Sequence, residues 1–198
     1  MISKAKILRA KAKATLGNKC FKGGWLWPIL VSLIASTLAG TFSFISFLTF
    51  SVFGTAICAY YMALVRRTAE AKQIGVYFNE LIKGIGGKII LGLLQNLYIL
   101  LWTIIPVVGP VISLVKSYSY AMAHYIKIDH PEYTANQCIT ASRVMMNGYK
   151  WKFFCLQLSF LGWDILTILT FGIIGYWVVP YKQAAYAEFY EELKAIKA

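Results

Sequence analysis

Residues Gly23 to Val65 read GGWLWPILVSLIASTLAGTFSFISFLTFSVFGTAICAYYMALV, without a Lys, Arg, Asp or Glu. A membrane-crossing helix needs about 20 apolar residues. This stretch is too long for one crossing and fits a hairpin of two, at 24–42 and 45–65, with the turn near Gly40-Thr41. Two further stretches repeat the pattern. Ile89 to Val115 is interrupted by Ile105-Pro106-Val107-Val108-Gly109-Pro110, where two prolines break a helix. The spans there are 88–105 and 108–126. Phe153 to Tyr181 turns at Phe171-Gly172, giving spans at 151–170 and 172–187, the last with Pro180 expected to kink it.

Composition agrees. Apolar residues are 59% and charged residues 14%, against roughly 45–50% and about 25% in soluble domains. Mean hydropathy is +0.61. A soluble globular protein is excluded on these figures, and disorder is excluded because it needs low hydrophobicity. The fold class expected is all-α: a polytopic membrane bundle of about six transmembrane helices in three hairpins, a single integral domain over residues 1–198.

Charge sets the orientation. In a six-span chain the termini and the even-numbered connections share one side. That side holds 19 of the 20 Lys and Arg, all but Lys116. The positive-inside rule puts it, and both termini, in the cytoplasm. Trp25, Trp27, Trp102 and Trp151 fall near the expected interfaces, as an aromatic belt does. The net charge of +12 flanks apolar spans, so it suits the phospholipid bilayer, with anionic lipids at the cytoplasmic face, and not nucleic acid. A cleaved signal peptide competes for the start, since Thr37-Leu38-Ala39 resembles a cleavage site. The apolar run continues past it with no polar mature segment, whereas a secretory core is about 7–15 residues, so we expect no cleavage.

Amphipathic segments precede the hairpins near 3–17, 68–84 and 134–147. The first carries Ala5, Leu8, Ala12 and Leu16 at helical spacing among basic residues. The second carries Ile74, Tyr77, Phe78, Leu81 and Ile82 at i, i+3, i+4, i+7, i+8. The third carries Ala135, Ile139, Ser142 and Met146. Such helices either lie among lipid headgroups or pack on the bundle as connectors, and the pattern fits both. Gly17-Asn18-Lys19, Gly86-Gly87-Lys88 and Gly148-Tyr149-Lys150 each precede an odd-numbered span, with Gly40, Gly109 and Gly172 following at similar intervals. Three copies of one unit account for this spacing, and so do the glycine needs of any helical hairpin.

The second half runs Ile105-Pro106-Val107-Val108-Gly109, Ser117-Tyr118-Ser119-Tyr120-Ala121-Met122-Ala123, Asp129-His130-Pro131-Glu132 and Ser142-Arg143-Val144-Met145-Met146-Asn147-Gly148. It continues Leu158-Ser159-Phe160-Leu161-Gly162-Trp163, Leu169-Thr170-Phe171-Gly172-Ile173, Pro180-Tyr181 and Phe189-Tyr190-Glu191-Glu192-Leu193. In order and spacing this resembles a bacterial family of multi-pass membrane proteins catalogued as domain of unknown function 975, over about 75–193 and more loosely over the first hairpin. The resemblance implies a bacterial inner-membrane protein and brings no activity or catalytic residues. His130 departs from the small polar residue, such as Asn, that it leads one to expect.

Two charges stand inside expected spans, Lys116 and Asp164. Each costs roughly 2.5–3.5 kcal/mol near the bilayer centre and so needs a partner or water. Their depths differ by about 3 Å at ~1.5 Å per residue, so they can form an ion pair, either structural or coupled to ion movement; the alternative is that they face separate polar pockets. Lys116, Tyr120 and His124 share one helical face by i, i+4 spacing, with Tyr118 beside them. With Gln95, Asn96 and Gln157 these side chains either line a hydrated path or form interhelical hydrogen bonds. The candidate binding cluster is thus Lys116, Asp164, Tyr120 and His124. His124 reads as an interfacial residue rather than a proton relay. Cys20, Cys138 and Cys155 lie near the reducing face and Cys58 in a span, which argues against disulfides. No zinc spacing, phosphate loop or catalytic triad is present, so neither cofactor nor metal is expected. The chain's small size leaves lipid-facing surface for a homodimer. Three classes remain: a non-enzymatic protein binding lipid or a partner, a small transporter or channel around Lys116 and Asp164, and, disfavoured, a lipid enzyme.

Overall fold

The protein, seen in a computed structural model, is described over residues 5–16, 28–32, 46–66, 75–103 and 109–197. Most of the expected first span, its turn at Gly40-Thr41, Gly17, Trp25, Trp27 and residues 67–74 and 104–108 lie outside the described residues. Those described form helices and turns, with no strand among them. In chain order the helices are α1 (Ala5–Leu16), α2 (Ser46–Val65), α3 (Gly75–Ile82), α4 (Ile85–Thr103) and α5 (Gly109–Tyr120). They continue as α6 (Ala123–Asp129), α7 (Ala135–Met145), α8 (Lys150–Leu158), α9 (Leu161–Leu169) and α10 (Gly175–Lys197). A short helical turn occupies 28–32.

Helix α2 is the hub and packs on α3, α4, α6 and α10, while α10 also holds α1. The core is aromatic. Tyr60, Tyr61, Tyr77, Phe160, Phe189 and Tyr190 are fully buried. The Tyr125 and Tyr190 rings stack at 5.2 Å, and Phe153 meets Phe189 at 5.1 Å. Large rigid rings bury much apolar area for little side-chain entropy.

The amphipathic segments divide. Leu8, Ala12 and Leu16 of α1 are buried, as are Ala135, Ile139, Ser142 and Met146 across α7 and its cap. Both stripes face protein. Arg9 fastens α1 by donating from Nη1 to the Ser159 carbonyl at 3.2 Å, by standing 5.3 Å over the Phe160 ring and by accepting Tyr181 Oη at its own carbonyl. Helix α3 buries Tyr77 but exposes Phe78 and Ile82. Helix α7 starts on a capping box, Thr134 accepting from the Gln137 amide while Gln137 reaches back to the Thr134 N–H.

The glycine signal shifts at one place. Gly86 lies inside α4, and Gly84 takes the left-handed conformation, φ +63°, as Gly148 does at +82°. Each lets the chain leave an amphipathic helix and enter an apolar one without a Cβ penalty.

The expected span at 108–126 is divided at Ala121-Met122, between α5 and α6. Ser142 explains the break. Its buried hydroxyl donates to the Ser119 carbonyl at 2.8 Å and accepts from the Met122 N–H at 3.2 Å. These backbone groups leave the helix ladder, and one side chain from α7 satisfies both. Replacing Ser142 by Ala orphans them. Buried unsatisfied groups cost about 1–3 kcal/mol each, so Ser142→Ala is expected to lower the thermal midpoint in mild detergent measurably, whereas Thr140→Ala, on an exposed position of the same helix, leaves it unchanged.

Helices α8 and α9 run on as one rod. Across their junction Ser159 N–H bonds Cys155 and Asp164 N–H bonds Phe160, each at 3.0 Å. Among the described residues this rod, Lys150–Leu169, is the one segment long and apolar enough to cross a membrane, and Val52–Val65 and Ile85–Leu101 are shorter apolar helices. Helix α9 buries no residue. Ile165, Ile168 and Leu169 are 51%, 76% and 70% exposed, and Phe171, at φ +50°, is 99% exposed on the turn that follows. Helix α4 also exposes Ile90, Leu93, Leu97, Leu100 and Leu101.

Candidate functional site

The expected polar cluster separates into three places. Asp164 does form an ion pair, with Lys182 of α10 as its cation: Nζ donates to both carboxylate oxygens at 2.9 Å. Lys116, the partner weighed for Asp164 above, borders a separate cleft. Lys182 was obscured because it reads as the charged end of the last span, yet α10 runs unbroken from Gly175 through Pro180 to Lys197, which brings Lys182 beside α9. The pair is part-exposed, so screening reduces its worth. Lys182→Met is expected to cost about 1 kcal/mol. The exchange Asp164→Lys with Lys182→Asp is expected to restore the thermal midpoint, which a double-mutant cycle measures.

Lys116 borders a cleft with Ser119, Thr140, Arg143, Val144, Asn147 and Lys150. Tyr120 is buried against Tyr98, with ring centroids 6.3 Å apart. His124, beyond the break at Ala121-Met122, contacts the Thr55 hydroxyl of α2 through Nδ1 at 2.9 Å. The i, i+4 face that joined Lys116, Tyr120 and His124 presumed one continuous helix. The turn re-aims the third of them.

The densest charged site is one that spacing did not assemble. Asp129 ends α6 with its side chain 6% exposed. It accepts from Arg66 at the end of α2 at 2.8 and 2.9 Å, from the Tyr190 hydroxyl at 2.9 Å and from Lys194 at 2.6 Å. Arg66 also donates from Nε to Glu191 at 2.7 Å. Burial alone would raise the Asp129 carboxyl, but the hydrogen bonds from Lys194, Arg66 and Tyr190 outweigh it and hold the group below its ordinary range. Burial works against the Arg66 charge, and Asp129 and Glu191 more than offset it. Burial, with Asp129 alongside, pushes the Tyr190 phenol up. Next to this site Lys127 Nζ donates to the Pro131 and Tyr133 carbonyls, closing the loop, and His130 stacks on Tyr133 at 4.5 Å.

This site ties α2, α6 and α10 at one end of the bundle. Asp129 comes from the motif Asp129-His130-Pro131-Glu132 and Tyr190 and Glu191 from Phe189-Tyr190-Glu191-Glu192-Leu193, about 60 positions on, while Arg66 and Lys194 lie outside both. The available signal was an acid directly after an apolar span, in a chain where acids are few. Its arrangement is that of a latch: it offers no nucleophile with a base, and among the described residues no group of three His, Cys, Asp or Glu side chains could hold a metal ion.

Both motifs, with the Ser142 staple, fall in residues 107–197, which match the family described as Protein of unknown function (DUF975). The resemblance read from the sequence holds over that part of the chain. No curated protein matches the chain. No solved structure matches it either.

Proposed function

We propose that the protein is a non-enzymatic, multi-pass protein of the bacterial plasma membrane that binds lipid or a partner membrane protein. In this reading six spans form three hairpins, with both termini and the basic segments in the cytoplasm. The observation that carries it is the α8–α9 rod and its turn. A helix of nine residues with none buried, followed by a fully exposed Phe171, leaves an apolar surface that soluble monomers do not present to water. Hydrocarbon solvates such a surface without cost. The Asp129 latch then lies at the cytoplasmic end, where α2 leaves the bilayer at Arg66 and α6 ends. Helices α1 and α7, turned inward, brace the bundle, and their charged faces stand toward anionic headgroups. The exposed stripe of α4 offers a surface to lipid or to a second copy of the chain.

The transporter reading needs a polar path joining Lys116 to Asp164. Those residues border different helices and Asp164 is held by Lys182, which favours a binding or structural role.

Alkaline carbonate extraction of expressing membranes tests the proposal. The full chain is expected to stay in the pellet and to be released by detergent. Quantitative release by carbonate alone would refute it.

A further inference from the structure

We propose that the exposed face of α4 is a homodimer interface, in which a second copy of the chain packs around Asn96. This names the occupant of that face and rests on the membrane reading above for the apolar surroundings of α4.

One face of α4 is covered within the chain. It packs on α2, α5 and α7, and Leu91 is fully buried there. The other face bears a groove of about 670 Å³, whose lining includes Leu93, Asn96, Leu97 and Leu100. Leu93, Leu97 and Leu100 are exposed, and Asn96 is half-buried. An apolar stripe by itself suits lipid tails as well as protein. Asn96 does not suit lipid tails. Among the described residues its amide has no hydrogen-bond partner. It lies eight residues beyond Lys88, at the start of the expected span 88–105. At ~1.5 Å per residue that is about 12 Å in, close to mid-bilayer. So short a side chain does not snorkel that far, as a Lys or Arg stem does. Hydrocarbon offers it neither donor nor acceptor. The groove therefore calls for an occupant with a polar group at the same depth.

A second copy supplies that group. The positive-inside rule sets every copy the same way up. A two-fold axis along the bilayer normal then brings the two Asn96 side chains to one level. A side-chain amide both donates and accepts, so the pair is self-complementary. The neighbours fit the same geometry. Leu93, Asn96 and Leu100 are spaced three and four apart. That is the repeat of a parallel two-helix seam, in which like positions face each other and leucines interlock on either side. A single Asn in such a seam fixes register and copy number. Among the described residues no charged side chain lines the groove, so the two faces meet without repulsion.

The test is native mass spectrometry of the full chain across a dilution series in mild detergent, with single-cysteine crosslinking in membranes beside it. The native chain is expected as a dimer, and Asn96→Leu should raise its dissociation constant about fivefold or more. Leu keeps the volume and removes the hydrogen bonds. Asn96→Gln keeps the amide and should restore most of the dimer. Ile168→Ala, on an exposed position of α9, should leave the dimer unchanged. In an otherwise cysteine-free chain, oxidation is expected to join Asn96→Cys to its counterpart. It should not join Gln95→Cys, whose native side-chain oxygen is buried. A monomer at every concentration would overturn the inference. So would a dimer indifferent to Asn96→Leu, equal crosslinking at positions 95 and 96, or an Asn96→Cys adduct with a different protein in place of the dimer. A chain that stays in the carbonate pellet yet is monomeric would sink this inference alone, so the two failures are distinguishable.

Discussion

Asp129→Ala is expected to lower the stability of the bundle by about 3 kcal/mol, the low end of the cost of removing one partner from a buried ionic network. The low end applies because Arg66 and Lys194 are 33% and 43% exposed and regain water when the carboxylate goes. The buried Tyr190 hydroxyl loses its acceptor and has no such relief. Asp129→Asn keeps an acceptor and the volume, so its loss should be about half. The same carboxylate carries an acid dependence of definite sign. Its pKa is depressed in the folded state. Its contribution is therefore complete above the unfolded value of about 3.9 and is lost as pH falls through the folded value. Thermal midpoints in detergent, measured from neutral pH downward, should fall for the native chain below about pH 4, and the fall should be shallower in Asp129→Asn. An Asp129→Ala midpoint within error of the native one would show that the latch contributes nothing.

Ile165→Arg should have a large effect too, through solvation rather than contact. Ile165 lies in α9 with its side chain 51% exposed, and no neighbour depends on it. At a water-facing position the substitution would fall within about ±0.5 kcal/mol. At the centre of a lipid-facing span the change runs from roughly −0.6 to about +2.5 kcal/mol on insertion scales, a penalty near 3 kcal/mol, and Ile165, four residues from the end of the rod at Leu169, bears part of it. The expected outcome is a severalfold drop in membrane-inserted protein, read by quantitative immunoblotting of carbonate-washed membranes. Ile196→Arg, partly exposed on the last turn of α10 and outside the expected spans, should change little. Equal yields for the native chain and Ile165→Arg would place α9 in water.

The helical class was legible because charge-free runs of membrane length leave few other options. The amphipathic stripes of α1 and α7 were also legible, since Leu8, Ala12, Leu16, Ile139 and Met146 repeat at helical spacing and all are buried. What they pack against was not, because an apolar stripe reads the same whether it meets lipid or protein. The break at Ala121-Met122 was hidden for a physical reason. No Gly or Pro marks it, and it depends on Ser142, twenty residues on, to satisfy the freed backbone. That break in turn set His124 on a different helix from Lys116 and Tyr120, with which the assumption of a straight helix had gathered it. Lys182 and the Asp129 latch were missed because their partners are distant in sequence and charge spacing reports only local neighbours. Gly84 rather than Gly86 carries the left-handed turn because the helix reaches one step further back than the Gly-Gly-Lys signal suggested.

Everything proposed here turns on the alternation of the hairpins across a bilayer. Two single cysteines in an otherwise cysteine-free chain measure it: Phe171→Cys, on the exposed turn after α9, and Asn147→Cys, at the cap of α7. Intact cells are treated with a membrane-impermeant maleimide before and after disruption. The expected result is labelling of Phe171→Cys in intact cells and of Asn147→Cys only after disruption. Labelling of both in intact cells, or of neither until disruption, would put the two ends of the α8–α9 rod on one side and contradict the crossing.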